Sequence, residues 1–416
     1  MPGETRDPRP VKLLSKKRLA QIWRNSKDAR PGAGTYGVDH IDARRFRENL
    51  DENLSRLARE IAAGAYNVSR LRPIFIPKPN STKERLICVP TVRDRLVQRA
   101  IIDDLVQKKK LDIYNDISHG FIADLGIPTA IQAALKFRST HKYAIKADIQ
   151  SFFDRIPRDF VKSEITRCLG KSSLRSLLFQ MVDSEIKGDP RTQAKLSELG
   201  IRTGIGLRQG MPISPLLSNL TLSKFDGAMH KRGIVMVRYA DDLLSFYQTE
   251  KDALYGLESI KKELGKIGLS VPELSENSKT KIYAAREDID FLGRIIRYNP
   301  QSDEYVCCVG NAQIGKIKAR MSEAYTLKSY LKDKLTITEF ERDLSATIAS
   351  YASIYRDAHD YSKLNDALGR TRAAVRKQLF IDLFGLEVAF EFSKEQRRFL
   401  GLSEADLTKL DASVEL

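Results

Sequence analysis

Asp241 and Asp242 stand side by side in Val237-Arg-Tyr-Ala-Asp-Asp-Leu-Leu-Ser-Phe246, an acidic pair with apolar, strand-prone residues on both sides. Two carboxylates at the tip of a hairpin can jointly hold divalent cations, the requirement of metal-assisted phosphoryl transfer. The pattern predicts a strand over residues 234–239, a tight turn over 240–242 and a return strand over 243–247. Taken alone, Ala-Asp-Asp equally suits ordinary turn chemistry. A second carboxylate sharpens the expectation. In Tyr143-Ala-Ile-Lys-Ala-Asp148, Tyr143, Ile145 and Ala147 alternate with Ala144, Lys146 and Asp148, so Asp148 ends a strand on the face opposite the apolar set. Neighbouring strands that bring Asp148, Asp241 and Asp242 together would make an oxygen-rich site suited to Mg²⁺, which prefers carboxylates, phosphates and water to His or Cys.

Other residues suit a phosphate-bearing ligand. Lys78 and Arg85 flank Pro79, Asn80 and Ser81, a spacing that suggests a hairpin with one cation on each arm. Such a pair is commonly solvated surface; as a triphosphate grip, Arg85 would make a forked contact and Lys78 act as a point charge. Gln209 and Gly210 precede Met211-Pro-Ile-Ser-Pro215, where proline can open a helix and glycine lets the backbone approach a ligand.

In order along roughly residues 35–300, these segments resemble reverse transcriptases. Ile76-Pro-Lys-Pro-Asn-Ser-Thr-Lys-Glu-Arg85 and Val89-Pro-Thr-Val-Arg-Asp-Arg-Leu-Val-Gln-Arg99 resemble the fingers of group II intron-like enzymes. Asp148-Ile-Gln-Ser-Phe-Phe-Asp154 resembles the first palm motif, and Arg208-Gln-Gly-Met-Pro-Ile-Ser-Pro215 the helix-opening template and nucleotide motif. Tyr239-Ala-Asp-Asp242 resembles the palm hairpin, Lys279-Thr-Lys-Ile282 the lysine motif and Phe291-Leu-Gly293 the primer grip.

The resemblance implies an α+β right-hand polymerase with fingers, a palm built on an antiparallel sheet, and a helical thumb. It makes Asp148, Asp241 and Asp242 catalytic and places Ile149 with them around two Mg²⁺ ions, with Mn²⁺ as a substitute. No nucleophilic side chain is needed, because a 3′-hydroxyl attacks. Lys78, Arg85, Phe153, Gln209 and Gly210 would bind the nucleotide. Phe153 would sit beneath the sugar and exclude a 2′-hydroxyl, leaving Phe152 for the core, and Lys279 or Lys281 would give a proton to the departing pyrophosphate.

A net charge of +16 over 416 residues fits a polyanionic partner, although a simple RNA-binding protein would show the same bias. The expected organisation is a basic arm over 1–34 with a short helix from Ser15 to Ser26, fingers with an N-terminal extension over 35–140, a palm with interleaved fingers elements over 141–305, a thumb over 306–385 and a short tail over 386–416. The extension would carry a helix over about 41–63, with Phe46, Leu50, Leu54, Leu57 and Ile61 at helical spacing. In the thumb, Ile314, Ile317, Met321 and Ala324 share a face flanked by Lys316, Lys318 and Arg320. A later helix turns Leu364, Leu368, Val375 and Leu379 inward and Arg370 and Lys377 outward, and a middle helix lies near 337–354. These five cations would hold a template–primer duplex by its backbone. His119 reads as structural.

Cys88, Cys168, Cys307 and Cys308 lack zinc-site spacing, and no apolar run is long enough to span a bilayer, so a cytoplasmic setting without membrane contact is expected. The tail has no room for a ribonuclease H domain, no His/Cys cluster marks an endonuclease, and the Val-Thr-Gly signature of retron thumbs is absent. By exclusion the chain is most similar to stand-alone defence-associated reverse transcriptases, which copy a structured non-coding RNA into DNA from dNTPs. A group II intron maturase and a template-independent polymerase of abortive-infection type are the alternatives. The sequence leaves the template, primer, product length and oligomeric state open.

Overall fold

The computed structural model describes residues 13–29, 34–77, 84–275, 277–332, 335–385, 393 and 396. The chain forms two compact units, Met1–Ala285 and Arg286–Leu416. The boundary falls inside the 141–305 stretch expected to form the palm.

In the first unit, β1 (Arg72–Pro77) and β2 (Glu84–Val89) form an antiparallel hairpin in which Ile76 faces Arg85. Lys78 lies outside the described residues. Strands β3 (Tyr143–Asp148), β4 (Val235–Tyr239), β5 (Asp242–Tyr247) and β6 (Lys281–Tyr283) form an antiparallel sheet in the order β4-β5-β3-β6. The central strands are short and rich in Ala, Ile, Val and Leu because helices cover them. Ala144, Ile145, Ala147, Leu243 and Leu244 are essentially inaccessible. Beneath the sheet runs the helix Ser214–Lys231, begun by Pro215, whose Leu217, Leu220, Thr221, Leu222 and Phe225 are all buried. A helix this buried shows no clean amphipathic stripe, since most of its faces meet protein.

Three expectations in the first unit need correction. The helix expected over 41–63 is two, Ala43–Glu48 and Leu50–Ala63, broken at Asn49, whose backbone leaves helical geometry at φ −122° and ψ 43°. Asn49 is a poor helix former that competes locally for backbone hydrogen bonds. Residues 13–29 are more than part of an arm: the expected helix forms as Lys16–Asn25, and its Leu19, Ile22 and Trp23 enter the main core. Their three- and four-residue spacing builds an apolar stripe that must be covered. In the carboxylate hairpin the loop is only Ala240 and Asp241, since Asp242 already pairs with Tyr239 as the first residue of β5.

The second unit opens with a meander, β7 (Ile289–Phe291), β8 (Arg294–Asn299) and β9 (Glu304–Cys308), paired in that order. The helices Asn311–Ala324, Leu327–Lys332, Ile337–Ile354 and Tyr361–Phe384 follow. Thr336 and Glu339 form a capping box at the start of the third, satisfying backbone donors that the helix itself leaves open. Ile314, Ile317, Met321, Phe340, Leu344, Leu364, Leu368, Val375 and Leu379 make the core of this unit. Ala324, expected on the buried face, is exposed in the last turn of its helix.

Within the first unit a strap over 204–213 ties the sheet region to the β1–β2 hairpin. Gly206 N–H donates to Ile156 O, Leu207 N–H to Phe153 O, and Cys88 N–H in β2 to Gln209 O at 2.6 Å. Gly210 has φ +104°, and a Cβ there would lie 2.5 Å from the Cys88 carbonyl oxygen. Both the dihedral and the contact exclude a side chain. Gly210→Ala should therefore lower stability by about 1–3 kcal/mol and reduce nucleotide incorporation, measured by thermal melting and primer extension; wild-type values in both would show that the strap can shift without consequence.

Candidate active site

The antiparallel register brings the acidic residues together. Asp148, the last residue of β3, is the direct cross-strand partner of Asp242, the first residue of β5. Asp241 precedes it in the loop, and its carbonyl accepts a hydrogen bond from Ile149 N–H at 3.1 Å. Two residues beside the acids have left-handed backbones without being glycine, Ala240 at φ +56° and Ser151 at φ +48°. Such conformations cost free energy and persist where surrounding contacts enforce them.

Crowding marks these carboxylates electrostatically. Burial and the neighbouring Asp241 and Asp148 charges push the Asp242 pKa up to about 6, against opposing pulls from Lys146 and Lys279. Asp241 is raised by burial and by Asp148, with Lys279 and Arg85 opposing. Lys279 Nζ pairs with Asp148 Oδ2, and that hydrogen bond raises the lysine's own pKa. Lys281 is exposed on β6, opposite Lys146. Of the two candidate lysines, Lys279 is the one at the acids. Among the described residues, no three His, Cys, Asp or Glu side chains are grouped as a ready-made metal cage. The donor chemistry nevertheless fits a divalent cation: Asp241 and Asp242, whose charged forms are disfavoured beside Asp148, are relieved by a positive charge.

The remaining candidates gather nearby or lie elsewhere. Phe152 is buried, and Phe153 is half-buried against it with ring centroids 5.4 Å apart. Phe153, Gln209 and Gly210 line one cavity of about 600 Å³, together with Ile87, Arg95 and Asn25. Arg85 lies on β2, close enough for its charge to act on Asp241. In the second unit, Lys316, Lys318, Arg320 and Arg370 are exposed and Lys377 half-buried. His119 is engaged locally, through Nδ1 to Thr129 Oγ1 at 3.1 Å and through its N–H to Arg238 O at 2.8 Å.

Sequence reading missed Arg238, Asn219, Asp226 and Lys146. A charged residue inside the apolar run 234–239 was the available signal for Arg238, but its partners are set by the fold. No described helix is long and apolar enough to cross a membrane.

The family model for reverse transcriptase (RNA-dependent DNA polymerase) matches residues 76–296, more than half of the 416-residue chain. The chain belongs to the reverse transcriptase family. Its mixed helix and strand architecture is accordingly a right-hand polymerase fold, and the family activity is RNA-directed DNA synthesis. The chain is 26% identical to protein YkfC of Escherichia coli K12 over 321 residues, covering 67% of this chain and 79% of YkfC. It is 25% identical to the group II intron-encoded protein LtrA of Lactococcus lactis subsp. cremoris over 195 residues, 47% of this chain and 31% of LtrA. It is 27% identical to the retron Ec83 reverse transcriptase of Escherichia coli over 180 residues, 41% of this chain and 50% of that enzyme. The matched region thus spans half or less of the last two relatives.

The raised Asp242 pKa has a definite sign. In the folded state without metal its charged form is disfavoured, so the stability it contributes is full below the ordinary carboxylate pKa and falls as pH rises through about 6. Asp242→Asn should thus raise the melting temperature of the metal-free reverse transcriptase at pH 8, by about 2–4 °C per kcal/mol relieved, while abolishing incorporation. Wild-type incorporation should fall below about pH 6, and added Mg²⁺ should move that limb to lower pH because cation and proton compete. A melting temperature lowered at pH 8 would contradict the repulsion.

Proposed function

We propose that this reverse transcriptase copies an associated structured RNA into DNA, with Asp148, Asp241 and Asp242 as its catalytic carboxylates. The cross-strand pairing of Asp148 with Asp242, with Asp241 adjacent, carries this reading. In the reaction a primer 3′-hydroxyl attacks the α-phosphorus of a dNTP; the new P–O bond replaces the bond to pyrophosphate, which leaves, and the hydroxyl proton passes to solvent water. Mg²⁺ held by the three carboxylates and the Ile149 carbonyl would activate that hydroxyl and neutralise the leaving group.

The chain's own residues account for the rest. Arg85 and Lys78 hold the triphosphate, Arg85 by forked hydrogen bonds. Gln209 and Gly210 shape the cavity wall against which the nascent base pair lies, and Phe153 occupies the space of a 2′-hydroxyl. Lys279, charged and beside Asp148, protonates the departing pyrophosphate. The exposed cations Lys316, Lys318, Arg320 and Arg370, with Lys377, bind the duplex backbone, a contact that positions without reading sequence. The stretches 35–140, 141–305 and 306–385 serve as fingers, palm and thumb, with 1–34 leading in and 386–416 trailing. We assign the enzyme to antiphage defence in the cytoplasm; that assignment rests on its intron-like motifs combined with the absence of a Val-Thr-Gly signature. Its similarity to an intron-encoded protein supports a second reading, as the reverse transcriptase of a group II intron.

Supplying one dNTP at a time tests templated copying. The enzyme should stall where the bound RNA demands another base, and Asp241→Asn should abolish extension while RNA affinity stays near wild type. Extension that ignores the RNA sequence would replace this reading with untemplated synthesis. Sequencing the RNA that co-purifies would separate a compact non-coding RNA from an intron.

Sugar choice tests the gate. Phe153→Ala should raise ribonucleotide use relative to deoxyribonucleotide use by roughly tenfold to a hundredfold, read as the ratio of kcat/KM values. An unchanged ratio in the folded variant would place the gate on another residue.

A further inference from the structure

Behind the tip of the carboxylate hairpin lies a polar network that the chemistry above does not use. Arg238 in β4 has no exposed side-chain surface, and neither has its partner Asp226 on the helix Ser214–Lys231. Arg238 Nε and Nη2 donate to Asp226 Oδ1 and Oδ2 at 2.7 and 2.5 Å. Its Nη1 donates to Asn219 Oδ1 at 3.0 Å and to the Ala240 carbonyl at 3.1 Å. Asn219 Nδ2 passes the chain on to the Gly120 carbonyl at 2.6 Å, while Asn115 Nδ2 donates to Asp226 Oδ2 at 3.0 Å. The main chain follows the same line, with Arg238 N–H bonded to Ile117 O and His119 N–H to Arg238 O, both at 2.8 Å. Gly120 is packed against the loop so closely that a Cβ would lie 2.6 Å from the Ala240 nitrogen.

Stability alone accounts poorly for this arrangement, because a fully buried ion pair is often matched or bettered by apolar residues of the same volume. What sets this pair apart is its remaining acceptor. Ala240 is the left-handed residue between Tyr239 and Asp241, and its carbonyl would be costly to leave unpaired in the interior. Arg238 satisfies it from behind while Gly120 closes the other side, so the loop is held from two directions. We propose that Arg238 is a positioning residue: through the Ala240 carbonyl, and with Asn219 and Gly120, it sets the backbone of the hairpin tip so that Asp241 and Asp242 meet Asp148 at the spacing a divalent cation requires. The inference rests on the metal-dependent reading of those three acids.

The test measures metal affinity directly, by electron paramagnetic resonance titration of the full-length protein with Mn²⁺, beside the Mg²⁺ concentration that gives half-maximal incorporation. Asn219→Ala leaves the ion pair in place but removes the link to Gly120. Arg238→Lys keeps the charge near Asp226 but replaces a planar fork by a single ammonium that cannot serve the Ala240 carbonyl as well. Both should melt cooperatively, bind RNA as wild type does, weaken Mn²⁺ binding by about tenfold or more and raise the Mg²⁺ requirement. Glu164→Gln is the control, since Glu164 is equally buried and pairs with Arg167 and Lys224 away from the hairpin. It should lower the melting temperature without moving Mn²⁺ affinity. Wild-type Mn²⁺ affinity in folded Asn219→Ala and Arg238→Lys would overturn the proposal, as would an equal loss in Glu164→Gln. Should Arg238→Lys fail to fold, Asn219→Ala decides. Undiminished Mn²⁺ binding by Asp241→Asn would instead remove the metal reading, a separately visible result.

Discussion

Three carboxylates that repel one another are held at one end of a four-stranded sheet, and much of the surrounding structure serves that confinement. Antiparallel pairing sets Asp148 opposite Asp242, and a two-residue loop adds Asp241. Burial then raises the cost of leaving their charges unbalanced, which pushes the Asp242 pKa up to about 6. Lys279, Lys146 and Arg85 offset part of that field. A site of this kind lowers the stability of the metal-free protein while preparing it to bind a cation, a common relation between stability and activity.

Confinement needs rigid walls. The strap over 204–213 links two segments distant in sequence, since its backbone pairs with Phe153 and Ile156 on one side and with Cys88 of β2 on the other. Its anchor is Glu185, whose carboxylate receives Arg158, Arg208 and the Gly204 N–H. Burial pushes the Glu185 pKa up, yet these three donors hold it below the usual value. The carboxylate therefore stays charged at neutral pH and the strap stays tied. The cavity lined by Phe153, Gln209 and Gly210 is a product of this bracing, because no single segment supplies all its walls.

The second unit presents a simpler physical picture. Three of its helices, Asn311–Ala324, Ile337–Ile354 and Tyr361–Phe384, bury apolar residues against one another, and a capping box begins the second of them. The buried Arg294 joins the meander to the helices by donating to Asp357 Oδ1 at 2.8 Å and to the Ile354 carbonyl at 2.5 Å.

The sequence by itself determined the family and the order of the motifs, and it picked out the acids that the sheet brings together, because adjacent acids, strand alternation and helix-opening prolines are local signals. It located the apolar faces of the later helices closely, and the helix Ile337–Ile354 matched its expected span. Local signals failed where tertiary contacts prevailed: at Asn49, where one helix became two; in the N-terminal segment, where the expected helix forms but joins the core instead of an arm; and at Asp242, which sheet pairing takes out of the loop. Lys279 and Lys281 are indistinguishable as letters two apart, and both are exposed; only the fold sets Lys279 against Asp148. Arg238 was visible as a charge in an apolar strand. Its meaning depended on Asp226 and Asn219, 12 and 19 residues earlier in the chain, and on Gly120 beyond them. Only packing in three dimensions decides which buried donor meets which buried acceptor.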